Sequence, residues 1–190
     1  DNLALFGNKQ TARELARREG VPVLAGTSAP TTLEVAREFF NELGPSSSAM
    51  IKAVAGGGGR GMREVHDGAQ LEELMTRCQS EAMKAFGNGD VYLEQLVPHA
   101  RHIEVQVVGD GRNVVHLWDR ECTLQRRHQK LVEMAPALDL PEALRERILS
   151  AATTLAAAAR YRNLGTIEFL VDTTTQAYYF IEANPRLQVE

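Results

Sequence analysis

The second half of the chain alternates hydrophobic and polar residues, which is the pattern of strands in an antiparallel sheet. Four segments share this pattern: residues 102–108, 114–119, 166–171 and 177–183. Turn signals separate the members of each pair, Gly109-Asp110-Gly111 in the first pair and the polar loop DTTTQ in the second. Two β-hairpins are therefore predicted. The alanine-rich residues 141–161 lie between them and begin with a proline, which predicts a long helix.

Apolar residues in the first half recur mainly at steps of three and four, which is helical spacing. The predicted helices are residues 8–20, 31–43 and 67–86. The predicted short strands are residues 49–55, 63–66 and 91–97. Gly20 suits the position that follows the first helix, and residues 31–34 resemble a capping box at the start of the second. The order strand, loop, strand, helix, strand predicts a small α/β lobe over residues 24–96.

Composition excludes several classes of protein. The chain has 190 residues, of which 44% are hydrophobic and 24% charged, as in an ordinary globular protein. Its net charge of −4 includes no basic block, so nucleic acid is not an expected partner. No apolar stretch reaches the roughly 18 residues of a membrane span, and the N-terminus lacks a signal-peptide pattern. We expect an intracellular protein with two reduced thiols, Cys78 and Cys122, that is a fragment of a longer polypeptide.

The sequence GGGGRG at residues 56–61 places bare backbone between two predicted strands. It satisfies the dinucleotide fingerprint in form only, because that fingerprint opens a helix, and it lacks the ending of a P-loop. A glycine loop in a hairpin lets backbone N–H groups approach a polyphosphate, although a flexible turn is the alternative. Lys52 precedes the loop within an apolar strand. It either adds a point charge to the same phosphates or extends its ammonium group to solvent.

Two further stretches concentrate polar side chains. Alternation in HIEVQVV places His102, Glu104 and Gln106 on one face of a strand, which is either functional or the solvated face of an antiparallel sheet. The stretch QRRHQK, residues 125–130, collects basic and amide side chains without helical amphipathicity. It suits an anion, and an exposed basic loop is the alternative.

The last hairpin carries two carboxylates. If its loop has an odd number of residues, Glu168 and Glu182 lie on the same face as opposite or diagonal neighbours. Opposed carboxylates repel, so such a pair must be solvated, share a proton or hold a cation. Asn184 follows on the same face, and a phosphate loop lies elsewhere in the chain. Mg²⁺ is therefore the natural cation, because it takes oxygen ligands and bridges to nucleotide phosphates.

These motifs together resemble a known family. The chain resembles the biotin carboxylase component of biotin-dependent carboxylases, which belong to the ATP-grasp superfamily. The resemblance rests on these motifs, in this order: Lys52 before GGGGRGM, YLEQ, RHIEVQV, QRRHQK, GTIEFL and IEANPRLQVE. The resemblance covers nearly the whole chain and implies an α+β, ATP-grasp fold, with a small α/β lid lobe and a larger lobe built on an antiparallel sheet. It divides the chain into a linking helical segment (1–23), the lid subdomain (24–96) and a truncated central lobe (97–190).

The resemblance also implies roles for individual residues. Those implied for the nucleotide are Lys9, Lys52, Gly56, Gly57, Gly58, Gly59, Glu94, His102, Gln125 and His128. Those implied for the metal are Glu168, Glu182 and Asn184. Those implied for bicarbonate are Lys130, Arg186, Gln188 and Val189. Lys130 and Arg186 count as catalytic together with Glu190, the base that deprotonates bicarbonate. The family commonly has Asp where this chain has Asn8.

The implied reaction is carboxylation of biotin on a carrier domain, with ATP, Mg²⁺ (or Mn²⁺) and bicarbonate, through carboxyphosphate. A carboxyltransferase domain would then pass the carboxyl group to an acceptor such as pyruvate or an acyl-CoA. The resemblance further implies a homo-oligomeric parent in the cytoplasm, or in the mitochondrial matrix of a eukaryote, and an inactive isolated fragment. The alternatives are another bicarbonate-activating ATP-grasp ligase, such as carbamoyl phosphate synthetase, and a nucleotide-binding module without turnover.

Overall fold

The computed structural model describes residues 2–45, 47–55, 61–126 and 129–188. Its helices and strands follow one another in this order: α1 Asn2–Gly7, α2 Lys9–Arg18, α3 Leu33–Glu42, β1 Ala49–Ala53, β2 Met62–Val65, α4 Leu71–Phe86, β3 Val91–Gln95, β4 Ala100–Asp110, β5 Val114–Glu121, β6 Gln125–Arg126, β7 Gln129–Lys130, α5 Glu142–Ala158, β8 Arg162–Asp172 and β9 Tyr178–Asn184. A 3-10 turn, Gly68–Gln70, leads into α4. Both predicted hairpins and the four longer predicted helices are confirmed, whereas α1 was not predicted.

The described residues form two compact units. The smaller unit comprises residues 24–45, 47–55, 61–97 and Gln129, and the larger unit comprises residues 2–23, 98–126 and 130–188. Residues 2–23, which were predicted as a linking segment, cluster with the larger unit. No helix within the described residues is both long enough and apolar enough to cross a membrane.

The smaller unit is an antiparallel sheet in the order β2-β1-β3 with α4 packed against it and α3 packed on α4. Its core joins one face of the sheet to the apolar side of α4, including Ile51, Leu71, Cys78 and Leu93, each of which is fully buried. The apolar run around Lys52 is therefore a strand because its side chains complete this core.

The larger unit is an antiparallel sheet in the order β5-β4-β8-β9. Helix α5 packs on β4 and β5, while α2 packs on β9 and on α5. The apolar face of the sheet contributes Ile103, Val105, Ile167, Phe169 and Phe180 to the core beneath these helices. Period-two alternation thus separates an apolar face, covered by helices, from a polar face.

Helix ends show why some predicted bounds were wrong. Asn8 caps α2, since its Oδ1 accepts hydrogen bonds from Gln10 N at 2.9 Å and Thr11 N at 3.4 Å. Helix α3 is capped by Thr32, so the predicted capping box was displaced by one residue. Pro141 is the cap residue of α5 and precedes its first turn.

Helix α5 ends three residues earlier than predicted, at Ala158. Arg160 has φ of 46°, and the N–H groups of Arg160 and Tyr161 bond to Ala157 O and Ala156 O at 2.9 Å each. This is the Schellman arrangement, which usually places glycine in the left-handed position. Since an arginine holds that position, the sequence carried no stop signal there. The turn sends Tyr161 into the core, where 2% of the residue is exposed.

Candidate functional site

A row of charged residues crosses the polar face of the larger unit, one from each strand. Arg120 of β5 lies opposite Glu104 of β4, Glu104 lies opposite Glu168 of β8, and Glu168 lies opposite Glu182 of β9. Glu104 is 0% exposed and Glu168 is 1% exposed. A solvated sheet face is therefore the wrong interpretation at these two positions, since carboxylates are rarely buried unless cations or donors balance them.

The pairing of Glu168 with Glu182 depends on a β-bulge. Near the turn, Val171 pairs with Tyr178, which leaves an even number of residues, 172–177, in the loop. The odd loop assumed from the sequence is therefore wrong. The register shifts by one between Glu168 and Phe169, because Phe169 pairs with Phe180 whereas Glu168 pairs with Glu182. The extra residue of β9 returns the two carboxylates to one face, as bulges beside functional sites often do.

Lys130 connects two of the buried carboxylates. Its Nζ is 3.1 Å from Glu168 Oε1 and also donates to Glu104 Oε2. Burial acts to lower the pKa of Lys130, but the charges and acceptors of Glu168 and Glu104 outweigh it and raise that pKa. The ammonium group therefore remains charged at neutral pH, where it can attract an anion.

Glu168 receives hydrogen bonds from several sides. His102 Nε2 lies 2.5 Å from Glu168 Oε2, and Asn184 Nδ2 donates to Oε1 at 2.6 Å. Gln125 Nε2 lies 2.8 Å from His102 Nδ1, so the other ring nitrogen of His102 is the one directed at Glu168. Burial raises the pKa of Glu168, but the His102 hydrogen bond and charge, with help from Lys130, hold it below its usual value. The carboxylate is therefore ionised.

Glu182 is the more open carboxylate, with 36% of its side chain exposed. Lys9, the first residue of α2, places its Nζ 3.6 Å from Glu182 Oε2. Asn8 fixes the start of this helix as a cap, a role that Asn and Asp fill equally well. The departure from the family's usual Asp is therefore compatible with the position of Lys9.

The donor set fits the divalent cation implied by the sequence. Glu168 and Glu182 face each other, and the Asn184 side chain is hydrogen-bonded to the Glu168 carboxylate. Two carboxylates and an amide oxygen are ligands that Mg²⁺ accepts, usually with water and substrate phosphates completing its shell.

The segment after β9 returns to the same face. Gln188 Nε2 donates to Thr166 Oγ1 at 3.2 Å, and Arg186 Nη1 donates to Gln188 Oε1 at 3.0 Å. The exposed Arg186 guanidinium is thus held beside Gln188, and Thr166 is the strand partner of Asn184. The larger unit therefore brings together, on one face, the predicted residues Lys9, His102, Gln125, Lys130, Glu168, Glu182, Asn184, Arg186 and Gln188.

The smaller unit pairs the remaining two described candidates. Lys52 of β1 forms an ion pair with Glu94 of β3, and 15% and 3% of their side chains are exposed, respectively. Lys52 is therefore not a lysine that extends to solvent. Six positions named from the sequence motifs lie outside the described residues: Gly56, Gly57, Gly58, Gly59, His128 and Val189, and so does the proposed base Glu190.

Sequence reasoning missed the partners of Glu104. Arg120 Nε donates to Glu104 Oε1 at 2.6 Å and lies 2.9 Å from Glu133 Oε2. Glu104, Cys122 and Glu133 place potential ligand atoms within 4.8 Å of one another. Burial, with the Glu104 charge, raises the pKa of Cys122 to about 12. Arg120 and Lys130 donate to the two oxygens of Glu104, so this group is part of a charged polar core. The only sequence signal was the polar alternation of β4.

Comparison with known proteins identifies the family. Residues 8–190 match the family described as "Carbamoyl-phosphate synthase L chain, ATP binding domain". The chain belongs to this family. Pyruvate carboxylase from Aspergillus niger is 53% identical over 187 residues, which cover 97% of this chain and 15% of that protein. The chain therefore spans only a small part of the relatives it matches.

Solved structures give the same result. A biotin carboxylase–β,γ-ATP complex from Campylobacter jejuni aligns with a TM-score of 0.93 and 46% identity, over 99% of this chain and 42% of that one. A second structure is the biotin carboxylase domain of Hydrogenobacter thermophilus 2-oxoglutarate carboxylase, a dimer in complex with MgADP, ADP and bicarbonate. It aligns with a TM-score of 0.92 and 41% identity, over 100% of this chain and 42% of that one. The resemblance to biotin carboxylases and the ATP-grasp fold are thus confirmed.

Proposed function

We propose that the chain is the ATP-binding part of a biotin carboxylase, within a biotin-dependent carboxylase. The observation that carries this proposal is the buried Glu168, which faces Glu182 and receives Lys130 and Asn184 on one carboxylate. This arrangement supplies metal ligands and a fixed cation at one place. Solved structures of relatives in complex with β,γ-ATP, and with MgADP, ADP and bicarbonate, support the same interpretation.

The proposal assigns several side chains to the nucleotide. In the smaller unit, Lys52 supplies a cation for the phosphates, and Glu94 belongs to the strand that meets the adenine. In the larger unit, Lys9 supplies a second cation for the phosphates, while His102 and Gln125 form a linked pair with their hydrogen-bonding groups on the polar face. The proposal also gives Gly56–Gly59 and His128 to the nucleotide.

Glu168, Glu182 and Asn184 would hold Mg²⁺, which when bound neutralises part of the charge on the phosphates. Lys130 would attract both bicarbonate and the γ-phosphate, because the flanking carboxylates keep its ammonium charged. Arg186, Gln188 and Val189 would bind bicarbonate. Glu190 would take its proton, and the resulting oxyanion attacks the γ-phosphorus of ATP to release ADP and give carboxyphosphate.

Carboxyphosphate then separates into CO₂ and phosphate, the phosphate takes the ureido proton of biotin, and N1′ of biotin attacks CO₂. This proposal includes a biotinylated carrier domain and a carboxyltransferase as partners. Pyruvate is the proposed final acceptor, since a pyruvate carboxylase is 53% identical to this chain.

The second candidate is a bicarbonate-activating ligase of the carbamoyl phosphate synthetase type, which the description of the matched family favours. Both candidates make carboxyphosphate and differ in the acceptor. Biotin dependence therefore separates them.

The test is ADP release by the polypeptide that carries this chain, with Mg²⁺-ATP and bicarbonate, in the presence and absence of free biotin. We expect biotin to stimulate ADP release and the Glu190→Gln variant to lose the stimulation while still binding nucleotide. ADP release that is indifferent to biotin would favour the second candidate. Nucleotide binding without turnover under any condition would indicate a binding module.

A further inference from the structure

The two carboxylates of the proposed metal site each face a lysine. Lys9 Nζ is 3.6 Å from Glu182 Oε2, and Lys130 Nζ is 3.1 Å from Glu168 Oε1. Both pairs lie within the larger unit. The side chains of Lys9 and Lys130 are 17% and 24% exposed, so neither ammonium group is freely solvated. Positive charge is therefore already present at both carboxylates.

We propose that Lys9 and Lys130 act as placeholders for the divalent cation, so that lysine and metal compete for Glu182 and Glu168 until a nucleotide draws the lysines away. The inference rests on the proposed function, because it takes the phosphates of ATP as the alternative partner of these lysines. Its consequence is that metal and nucleotide bind with positive coupling, beyond the formation of Mg²⁺-ATP in solution.

The physical reason is charge balance. A dication that binds two carboxylates beside two ammonium groups gains attraction from the first pair and suffers repulsion from the second. A triphosphate removes the repulsion because it offers the flexible lysine stems a more highly charged partner within reach. Thermodynamic reciprocity then requires the metal to strengthen nucleotide binding by the same factor as the nucleotide strengthens metal binding.

Lys9 is the better position for a test. Its 3.6 Å pair with the partly exposed Glu182 exceeds hydrogen-bond distance, so its removal costs the fold little. Lys130 also holds the buried Glu104, and its removal would disturb the charged core. The matched control is Lys84, an exposed lysine in the last turn of α4 of the smaller unit, which allows the same change in net charge.

The experiment titrates Mn²⁺ alone into the nucleotide-free polypeptide that carries this chain and follows free Mn²⁺ by electron paramagnetic resonance. We expect Lys9→Met to raise the Mn²⁺ affinity of this site about three- to tenfold and to lower the affinity for metal-free ADP. Lys9→Arg and Lys84→Met should leave Mn²⁺ affinity at the wild-type value. Comparison within one polypeptide cancels any metal sites elsewhere.

An unchanged or weaker Mn²⁺ affinity in a folded Lys9→Met protein would overturn the proposal, and so would an equal rise in Lys84→Met. Biotin-stimulated ADP release by the wild type is measured in parallel. If it occurs and Mn²⁺ affinity does not respond to Lys9→Met, only the placeholder proposal fails. If Mn²⁺ affinity responds and no ADP is released, only the proposed function fails.

Discussion

Replacing Glu104 by Gln tests whether burial decides the role of each carboxylate in the charged row. Glu104 is 0% exposed and binds both Arg120 and Lys130, whereas the Glu182 side chain is 36% exposed and has its lysine at 3.6 Å. Glutamine keeps the shape of the side chain but turns an amide NH₂ group toward one of the two cations. We therefore expect Glu104→Gln to destabilise the larger unit and Glu182→Gln to leave its stability almost unchanged.

The magnitude follows from what each cation retains. Breaking a buried ion pair by removing one partner costs about 3–5 kcal/mol. Arg120 keeps Glu133 at 2.9 Å, Lys130 keeps Glu168 at 3.1 Å, and the amide oxygen still accepts one hydrogen bond. The expected loss for Glu104→Gln is therefore smaller, about 2–3 kcal/mol, against about 0–1 kcal/mol for Glu182→Gln.

Hydrogen exchange of peptides from residues 100–121 measures this loss locally, which avoids assuming two-state unfolding of a long polypeptide. A loss of 2–3 kcal/mol corresponds to exchange about 30- to 150-fold faster for the most protected amides. Exchange in Glu182→Gln should change less than about fivefold. Equal exchange in the two variants would refute the reasoning, because the buried and the exposed carboxylate would then contribute alike.

Two further outcomes follow from the packing. Gly165→Ala should lower the free energy of unfolding by about 1–3 kcal/mol, because its Cβ would lie 2.9 Å from Tyr161 Cζ. In Gly7→Ala the new Cβ would have no atom of the described residues within 4 Å, so this variant should not be destabilised by steric conflict. Thermal unfolding of both variants checks this. Burial raises the pKa of Cys78 to about 11 and that of Cys122 to about 12, so at pH 8 alkylation followed by mass spectrometry should label neither thiol until urea is added. Folding keeps both thiols protonated, so their contribution to stability is present below about pH 9 and is lost as pH rises toward 11 to 12. Alkylation of the folded protein as fast as that of the unfolded protein would contradict this expectation.

The sequence was informative where one rule of local chemistry decided the structure. Strict alternation predicted both hairpins, because a sheet with one buried face permits only one register. The shared face of Glu168 and Glu182 was predicted from an odd loop, whereas it results from the bulge in β9. It was uninformative where structure depended on a partner distant in the chain. Arg120, which neutralises Glu104, lies on a strand that had no chemical pattern of its own, and nothing local indicates that the two residues are opposed.

Local rules also failed where an unusual residue filled a usual role. The end of α5 has the geometry of a glycine stop with Arg160 in the left-handed position, so the helix was predicted three residues too long. Thr31 and Thr32 are both good caps, and the sequence does not distinguish them. Physical chemistry ranks such choices by tenths of a kcal/mol, and tertiary packing decides among them.

The bulge in β9 decides which single residue this hairpin could lose. Ile181 is the extra residue, so its deletion would let Glu182 follow Phe180 directly and would keep Glu182 and Asn184 on the polar face. Deletion of Ala183 would instead turn Asn184 toward the helices. The turn at residues 172–177 lies beyond the bulge, on the far side of Phe180, and holds none of these side chains. The turn can therefore change its length without moving the carboxylates, and the strand itself can lose only the bulge residue. A straight β9 would serve the carboxylate pair as well as the bulged one does.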